Sequence, residues 1–300
     1  MVLLPHVARR SGPKENAIFS LVASLAAWVL GSAAQAGVIS VYPGPSAIQT
    51  AIAAASPGDT LRVHPGTYPE HVVINKPLRI LGAGPSRVVI DAGCSAMYAL
   101  EVMANGVSIR RVKVVGGSFD AIDIRLRADV TVSRTVVEGS FDVPHCGAEQ
   151  YGINVSGGTG IIVTSNVATG FYDAGIYVGG VPSSSAVLVA HNQATHNNTE
   201  GITVENSGPG EIVVHGNRVL GNGPGGYAGI RVGGSESIVV TRNVVEDSGD
   251  VGLRLEQSEG CLITRNVVSG HVADIADDGV TNCWQQNKFT TGSVTSSCPP

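Results

Sequence analysis

The sequence predicts an all-β fold, a parallel β-helix in which the chain winds into roughly ten stacked coils. Between residues 151 and 270, a short alternating strand followed by a second apolar run ending in asparagine occurs five times. The asparagines follow one another at intervals of 26, 25, 26 and 23 residues. No segment between them forms a helix long enough to cover a sheet. The five are Asn166, Asn192, Asn217, Asn243 and Asn266.

One asparagine in every coil predicts a ladder along the axis, because amides can bond one another and the turn backbone away from water. The third and fifth residues before each asparagine, and the second after it, are expected to face the core. An antiparallel β-sandwich is the alternative, but a sandwich does not keep one side-chain register over five turns. The predicted core residues are Ile161, Val163, Ala168, Val187, Val189, Ala194, Ile212, Val214, Val219, Ile238, Val240, Val245, Cys261, Ile263 and Val268.

Residues 1–36 are predicted to be a secretory signal peptide, and residues 37–300 a single β-helix domain. Three basic residues precede an apolar run from Ile18 to Leu30, and Ala34-Gln35-Ala36 has a small-x-small cleavage pattern. A membrane anchor is the alternative, but the run is short for a span. The protein is therefore expected to be secreted or periplasmic, with no membrane span after signal cleavage.

The rest of the chain is acidic and contains all five cysteines. Removing three basic residues and one acidic residue leaves 16 basic and 23 acidic residues, a net charge of −7, which argues against a nucleic-acid partner. With no linker-like segment, a monomer is expected. Cys94 with Cys146 and Cys283 with Cys298 are candidate disulfides, although spacing does not decide connectivity. Cys261, in the inward register, is expected to be a buried free thiol.

A strand and a capping helix are predicted for residues 37–59, before coils over 60–272 and a last coil and tail over 273–300. Ser46 and Gln49 have the spacing of a capping box. A short helix with one apolar face is expected to cover the open core and the first sheet edge. At the other end, Trp284 and Phe289 fall in inward positions.

Several short strings resemble a known superfamily. Pro57-Gly58-Asp59-Thr60, Pro65-Gly66-Thr67-Tyr68 and Lys76-Pro77-Leu78 resemble the opening of right-handed parallel β-helix proteins of the pectin-lyase-like superfamily, especially NosD-type proteins and carbohydrate-active relatives. The segment from Asn282 to Phe289 resembles their last coil. The resemblance implies a right-handed fold, whereas the activity differs within the group, which includes lyases, esterases, epimerases and proteins without a known reaction.

The first strand of each coil is predicted to display one outward residue, so these residues form a row with neighbours ~4.8 Å apart. That spacing is close to one sugar residue of an extended polymer, which predicts a polysaccharide along the row. The row changes from acidic to basic along the axis; an ordinary solvated face is the alternative. The row includes Asp123, and the predicted substrate-binding residues are its other members, Glu101, Asn154, Tyr177, Thr203, Arg231 and Arg254.

The densest polar cluster surrounds an insertion at residues 143–150, which contains Glu149, and also includes Asp173. Carboxylates beside a histidine and a tyrosine suit proton transfer on a sugar ring, with a cation to stabilise the developing charge. This favours a polysaccharide lyase or epimerase, whereas hydrolysis needs two carboxylates that flank the bond. The candidate catalytic residues are Asp120, Asp123, Arg125, Asp142, His145 and Tyr151.

Two resemblances bear on chemistry at this cluster. Phe141-Asp142-Val143-Pro144-His145 resembles the Asp-Pro-His motif of mannuronan epimerases, with Val143 interposed, which makes Asp142 a candidate carboxylate and His145 a candidate base. The NosD resemblance suggests copper, but His191 and His215 stand singly in turns and Met97 and Met103 form no cluster.

No cofactor is certain from the sequence. Calcium is a candidate ligand for Asp120, Asp123 and Asp142, because carboxylate oxygens are its preferred partners. The preferred function is a secreted protein that binds a polysaccharide along its exposed strand face and, in the sharper hypothesis, processes it. The competing function is a non-catalytic surface or structural protein, or a partner in metalloenzyme maturation.

Overall fold

The computed structural model describes residues 36–300, except 142–145, 148, 225, 293, 295–297 and 299–300. Residues 36–300 form one compact unit, and its described part is a parallel β-solenoid with 29 strands and one short helix. The predicted signal peptide, apart from Ala36, lies outside the described residues, as do Asp142 and His145.

Each complete coil supplies one strand to each of three parallel sheets, here named A, B and C in chain order. Sheet A contains Val38–Val41, Thr60–Val63, Arg79–Gly82, Ser108–Arg110, Thr131–Ser133, Ile161–Thr164, Ala186–Ala190, Glu211–His215, Val239–Thr241, Leu262–Thr264 and Cys283–Gln285. Sheet B contains Gly66–Tyr68, Val88–Asp91, Lys113–Val115, Val136–Glu138, Val167–Thr169, Gln193–Thr195, Arg218–Leu220, Val244–Glu246 and Val267–Ser269. Sheet C contains Val72–Ile74, Tyr98–Val102, Asp120–Arg125, Tyr151–Ser156, Ile176–Gly179, Ile202–Glu205, Ala228–Gly233, Val251–Glu256 and Ala273–Asp277.

The core between the sheets is filled by side chains in register. Ile161 pairs with Val187 and Val163 with Val189, and the next coils continue the pairing. All fifteen residues predicted to face inward are buried, none more than 1% exposed. The predicted β-helix and its register are therefore confirmed.

The asparagine ladder runs along the corner between sheets A and B. Asn192 donates from its side-chain nitrogen to the Val163 carbonyl (2.9 Å) and to Oδ1 of Asn217 (3.0 Å), and its backbone N–H donates to the same oxygen (2.9 Å). The pattern repeats from Asn166 to Asn287, so each amide satisfies backbone groups that water does not reach.

The other two corners carry ladders that the sequence did not reveal. Between sheets B and C, Asn197 donates its amide to Asn222 (2.8 Å), and the N–H of Asn222 donates to Oγ of Ser248 (3.2 Å). Between sheets C and A, the N–H of Ser207 donates to Oγ of Ser235. Serine replaces asparagine in some of these positions because the corner needs an acceptor oxygen for a buried N–H, which either residue supplies.

Helix α1, Ala47–Ala54, covers the first coil as predicted, but the predicted capping box is wrong. Ser46 has a left-handed backbone (φ 47°) and makes no side-chain cap, so Glu70 accepts the N–H groups of Ile48 and Gln49 instead, both at 2.9 Å. The Gln49 amide then accepts from and donates to the backbone of Val73. The helix thereby supplies hydrogen-bond partners to the edge strand of sheet C.

In the last coil, one of the two aromatic rings predicted to face inward is exposed. Trp284 is buried and its indole N–H donates to Asp277 (2.7 Å), whereas Phe289 is 39% exposed, so its predicted inward place is wrong. After this coil, the N–H groups of Thr290 and Thr291 donate to the carboxylate of Asp274, which holds the start of the tail.

The cysteine predictions are confirmed. Cys94 is bonded to Cys146 and Cys283 to Cys298, while Cys261 is a buried free thiol whose pKa is raised by burial to about 11. Within the described part of residues 36–300, no helix has the length and apolarity that crossing a membrane requires.

Candidate functional site

The outer face of sheet C carries the predicted row of residues, and strand pairing places all seven in one line. Each member pairs with the next, so neighbouring side chains stand one strand apart. The row consists of Glu101, Asp123, Asn154, Tyr177, Thr203, Arg231 and Arg254.

The side chains of the row are less exposed to solvent than the inward–outward alternation of the strands predicts. Asp123, Asn154 and Thr203 are each 3% exposed, so the expectation that every member faces solvent is wrong for these three. The long side chains beside them lie flat, since a Cβ built on Gly179 would fall 2.2 Å from the Tyr177 hydroxyl, and one on Gly233 would fall 2.8 Å from the Arg231 guanidinium. Glycine two residues further along each strand therefore makes room for the tyrosine and the arginine.

At one end of the row, two of the predicted catalytic carboxylates share one amide. The side-chain nitrogen of Asn154 donates to Asp120 (2.9 Å) and to Asp123 (3.3 Å), and Arg125 donates to Asp123 (3.2 Å). Burial raises the pKa of Asp120 to about 7 and also raises the pKa of Asp123. Asp120 is 0% exposed, so it lies beneath the surface, where it holds Asn154 and the backbone of Tyr151.

In the middle of the face, two tyrosine rings stack. The rings of Tyr151 and Tyr177 lie 4.5 Å apart between centroids with 25° between their planes. Burial, helped by the charge of Asp173, raises the pKa of Tyr151, which also hydrogen-bonds that carboxylate. Burial likewise raises the pKa of Tyr177, so both hydroxyls stay protonated and able to donate.

A cleft of about 360 Å³ opens beside this tyrosine pair. Thr203 lies at its base, and its buried Oγ1 has no hydrogen-bond partner among the described residues. Glu200 stands beside it, 8% exposed, with a pKa raised by burial. An unpaired buried hydroxyl is costly unless a ligand or water completes it, which marks the cleft as a place for a polar ligand. The lining residues are Tyr151, Asp173, Tyr177, Glu200, Thr203, Glu205, Gly226, Tyr227, Arg231, Arg254 and Glu256.

The row was expected to change from acidic to basic along the axis, but the arginine Arg231 at its basic end is paired with carboxylates. Arg231 lies 2.8 Å from Glu256 and 3.5 Å from Glu205, so two carboxylates neutralise it. Four carboxylates and two arginines line the cleft. The cleft is therefore acidic, although the row alone suggested otherwise.

Sequence reasoning missed Glu200, Glu205, Glu256 and Tyr227. Glu205 and Glu256 follow Thr203 and Arg254 by two residues, so the same alternation that gave the first row could have given this second one. Glu200 precedes Ile202 by two residues, as Asp120 precedes Ile122. Tyr227 lies in the loop before its strand, where the repeat gives no signal.

The predicted catalytic set is divided by the structure. Asp120, Asp123 and Arg125 lie together at the acidic end, Tyr151 lines the cleft, and Asp142 and His145 lie outside the described residues. The disulfide of Cys146 ties the end of the insertion to Cys94. The assignment of catalytic roles to this set stays a prediction.

Metal ligands are sparse on the described surface. His191 and His215 do not stand singly as expected, since their rings meet edge to face at 5.2 Å, but two imidazoles make an incomplete site. Among the residues whose positions are described, no three His, Cys, Asp or Glu side chains converge for a metal ion. Copper favours clustered sulfur and imidazole ligands, so these residues do not fit a copper centre.

Calcium is a separate question. The oxygens of Asp120 and Asp123 that face each other already accept N–H groups from Asn154, and the third predicted ligand, Asp142, lies outside the described residues. The calcium site stays a prediction.

Several solved structures have a similar fold. Pectate lyase Pel9A has a TM-score of 0.57 and 16% identity, over 87% of this chain and 78% of that one. The Agl-KA catalytic domain has a TM-score of 0.60 and 14% identity, over 81% and 50%. The PL6 family alginate lyase AlyGC has a TM-score of 0.54 and 16% identity, over 83% and 40%. Identities this low show the fold alone, and comparison with curated proteins gave no match.

A family model described as periplasmic copper-binding protein (NosD) matches residues 90–296, more than half of the chain. A periplasmic family agrees with the two disulfides, which form and persist outside the cytoplasm, and this confirms the expected secreted or periplasmic location. It also confirms the resemblance seen in the sequence. The chain belongs to the NosD family.

Proposed function

We propose that this protein binds a polysaccharide along the outer face of sheet C, centred on the cleft beside Tyr151 and Tyr177. The observation that carries the proposal is the unpartnered hydroxyl of Thr203 at the base of that cleft, next to the stacked rings. Aromatic faces pack against the apolar face of a sugar ring, while protonated hydroxyls and carboxylates bond its hydroxyl groups.

The shape of the face supports an extended ligand. The row repeats every ~4.8 Å along the axis, and a second groove beside Tyr177, lined by Arg125, Leu126 and Asn206, continues the surface away from the cleft. Two of the proteins with a similar fold are named as a pectate lyase and an alginate lyase. A sugar polymer is a ligand that such a track can bind over several residues at once.

The charges of the cleft support neutral or amino sugars over uronates. Even with Glu200 protonated, three carboxylates face two arginines, and Arg231 is already paired with Glu205 and Glu256, so a polyanion is disfavoured. An amino sugar adds a positive charge that the remaining carboxylates attract.

If the bound glycan is cleaved, the cleft favours acid–base cleavage by carboxylates. The raised pKa of Glu200 suits a proton donor, and its neighbour Asp173 accepts hydrogen bonds from Thr199 (2.6 Å) and Tyr151. Glycoside hydrolysis uses one carboxyl group as the proton donor and a second as the base or nucleophile. The expected lyase or epimerase activity rests on the whole predicted catalytic set, which includes Asp142 and His145, and stays a prediction.

The test is a glycan array of neutral, amino-sugar and uronate polymers, followed by titration of the best ligand. Tyr177→Ala and Thr203→Val should weaken binding by about tenfold or more, equivalent to ~1.4 kcal/mol. Tyr42→Ala is the control, because that ring is 63% exposed and directly follows the first strand of sheet A, away from the face of sheet C. Binding of no glycan, or unchanged binding by Tyr177→Ala, would contradict the proposal.

A product assay on the bound glycan separates the chemistries. New reducing ends without an unsaturated product would support carboxylate cleavage, and Glu200→Gln should then abolish them while binding persists. An unsaturated uronate product would instead support a lyase and contradict the roles given to Glu200 and Asp173.

A further inference from the structure

The outer face of sheet A carries an apolar stripe that is separate from the glycan face. Its members pair strand to strand, and they are partly exposed, with Ile162 at 38%. A shallow groove between its first coils is lined mainly by Ile162, Leu188 and Val213. The apolar stripe consists of Ile162, Leu188, Val213, Val239 and Leu262.

Exposed charges of opposite sign border the apolar stripe. In two coils an acidic residue lies three positions before the central residue and an arginine three positions after it: Glu236 and Arg242 about Val239, and Glu259 and Arg265 about Leu262. A third coil has the same order about Thr131, which pairs with Ile162. There, Asp129 and Arg134 supply the charges.

These charges place acidic residues on one side of the stripe and arginines on the other, in the Thr131 coil at one end and in the Val239 and Leu262 coils at the other end. All six side chains are exposed, and within the described part of the chain none of them takes part in an ion pair. An apolar centre with unpaired charges of opposite sign on its two sides is typical of an interface in which the charges set the orientation of the partner.

We propose that a second copy of this chain packs on the apolar stripe, related by a two-fold axis that runs parallel to the coil axis. Such an axis keeps each coil level with its equivalent but reverses the strand direction, so Arg242 meets the partner's Glu236 and Arg265 meets the partner's Glu259. A two-fold axis along the strands would instead set arginine against arginine. The charges therefore select the arrangement with parallel coil axes.

The size of the patch sets the expected strength. Six strand spacings of ~4.8 Å and a width of six residues at ~3.3 Å give a projected area of about 600 Å² per copy, somewhat below the ~800 Å² of a standard interface. A reversible dimer with a micromolar dissociation constant is expected, in contrast to the monomer that the sequence suggested. The dimer leaves the face of sheet C free, so it does not depend on the proposed glycan site.

The first experiment is sedimentation velocity on the mature chain from low to high micromolar concentration. A concentration-dependent dimer is expected, and Val239→Glu should weaken it at least tenfold. Val244→Glu is the matched control, because Val244 is a similarly half-buried outward valine on sheet B. A monomer at every concentration, or equal loss in both variants, would overturn the proposal.

The second experiment tests the orientation. Arg242→Glu and Glu236→Arg should each weaken the dimer, and the double variant should recover it, with circular dichroism to verify folding. A short bis-maleimide should join Ile162→Cys chains as readily as Val239→Cys chains, since parallel coil axes set each stripe residue against itself. Cross-linking at Val213→Cys alone, the centre of the stripe, would indicate antiparallel axes and overturn the proposed arrangement.

Discussion

Replacing Asn217 with alanine should destabilise the solenoid far more than its position in a turn suggests. The Asn217 amide is 1% exposed and makes four hydrogen bonds. Its nitrogen donates to the Val189 carbonyl and to Asn243, each at 2.9 Å. Its oxygen accepts the backbone N–H and the side-chain amide of Asn192, at 2.9 and 3.0 Å.

The magnitude follows from the groups left without partners. Alanine at position 217 orphans two N–H groups of Asn192 and removes a donor from the Val189 carbonyl, whereas Asn243 keeps the backbone N–H of residue 217. Each unsatisfied buried group costs about 1–3 kcal/mol, and a water that enters the small cavity offsets part of this. A loss of about 3–5 kcal/mol in the free energy of unfolding is expected.

The measurement is urea unfolding of residues 37–300, monitored by far-ultraviolet circular dichroism. Asn198→Ala is the matched control, because the Asn198 amide donates to Tyr172 from an exposed position. Asn217→Ser should recover part of the loss, since serine supplies an acceptor, as Ser248 does for the N–H of Asn222. If Asn217→Ala loses no more stability than Asn198→Ala, the ladder is not what holds the coils in register.

Two further predictions concern a buried side chain at the corner between sheets B and C and a buried carboxyl group in sheet C. Phe171 is fully buried, so Phe171→Ala should cost about 3–5 kcal/mol in urea unfolding, against less than about 0.5 for Phe289→Ala at an exposed ring. Burial raises the folded-state pKa of Asp120 to about 7, above its value of 3.8 when unperturbed, so its contribution to stability is greatest at low pH and is lost as the pH rises toward 7. Asp120→Asn should flatten this fall between pH 4.5 and 8, and an identical pH profile in the variant would show that another group titrates.

Much of the fold follows from repetition alone. One asparagine per coil sets the register, and that register identifies fifteen core residues, all of which are buried. The ladders at the other corners escaped because Asn197, Asn222 and Ser248 share a role and not an identity. What recurs at these corners is an acceptor for a buried N–H, and because two residue types supply it, no single residue type repeats in the sequence.

The ends of the solenoid were harder to predict because the repeat stops there and local rules compete with tertiary contacts. The capping box at Ser46 satisfied a local rule, but Glu70, 21 residues beyond Gln49, supplies the cap. Phe289 satisfied the period, but the tail is held by Asp274 and leaves the ring in solvent.

The candidate site shows where periodicity stops being informative about function. Alternation placed Thr203 and Arg231 correctly in the outward row, since strand geometry decides which side a residue takes. Alternation could not indicate that Thr203 lies buried between Tyr177 and Arg231 with an unpaired hydroxyl. The burial of Thr203 depends on how those two side chains lie flat over Gly179 and Gly233. The direction of a side chain follows from the backbone, whereas its accessibility and charge state follow from the packing of whole coils. Ligand binding depends on accessibility and charge state, so the sequence pattern alone does not predict it.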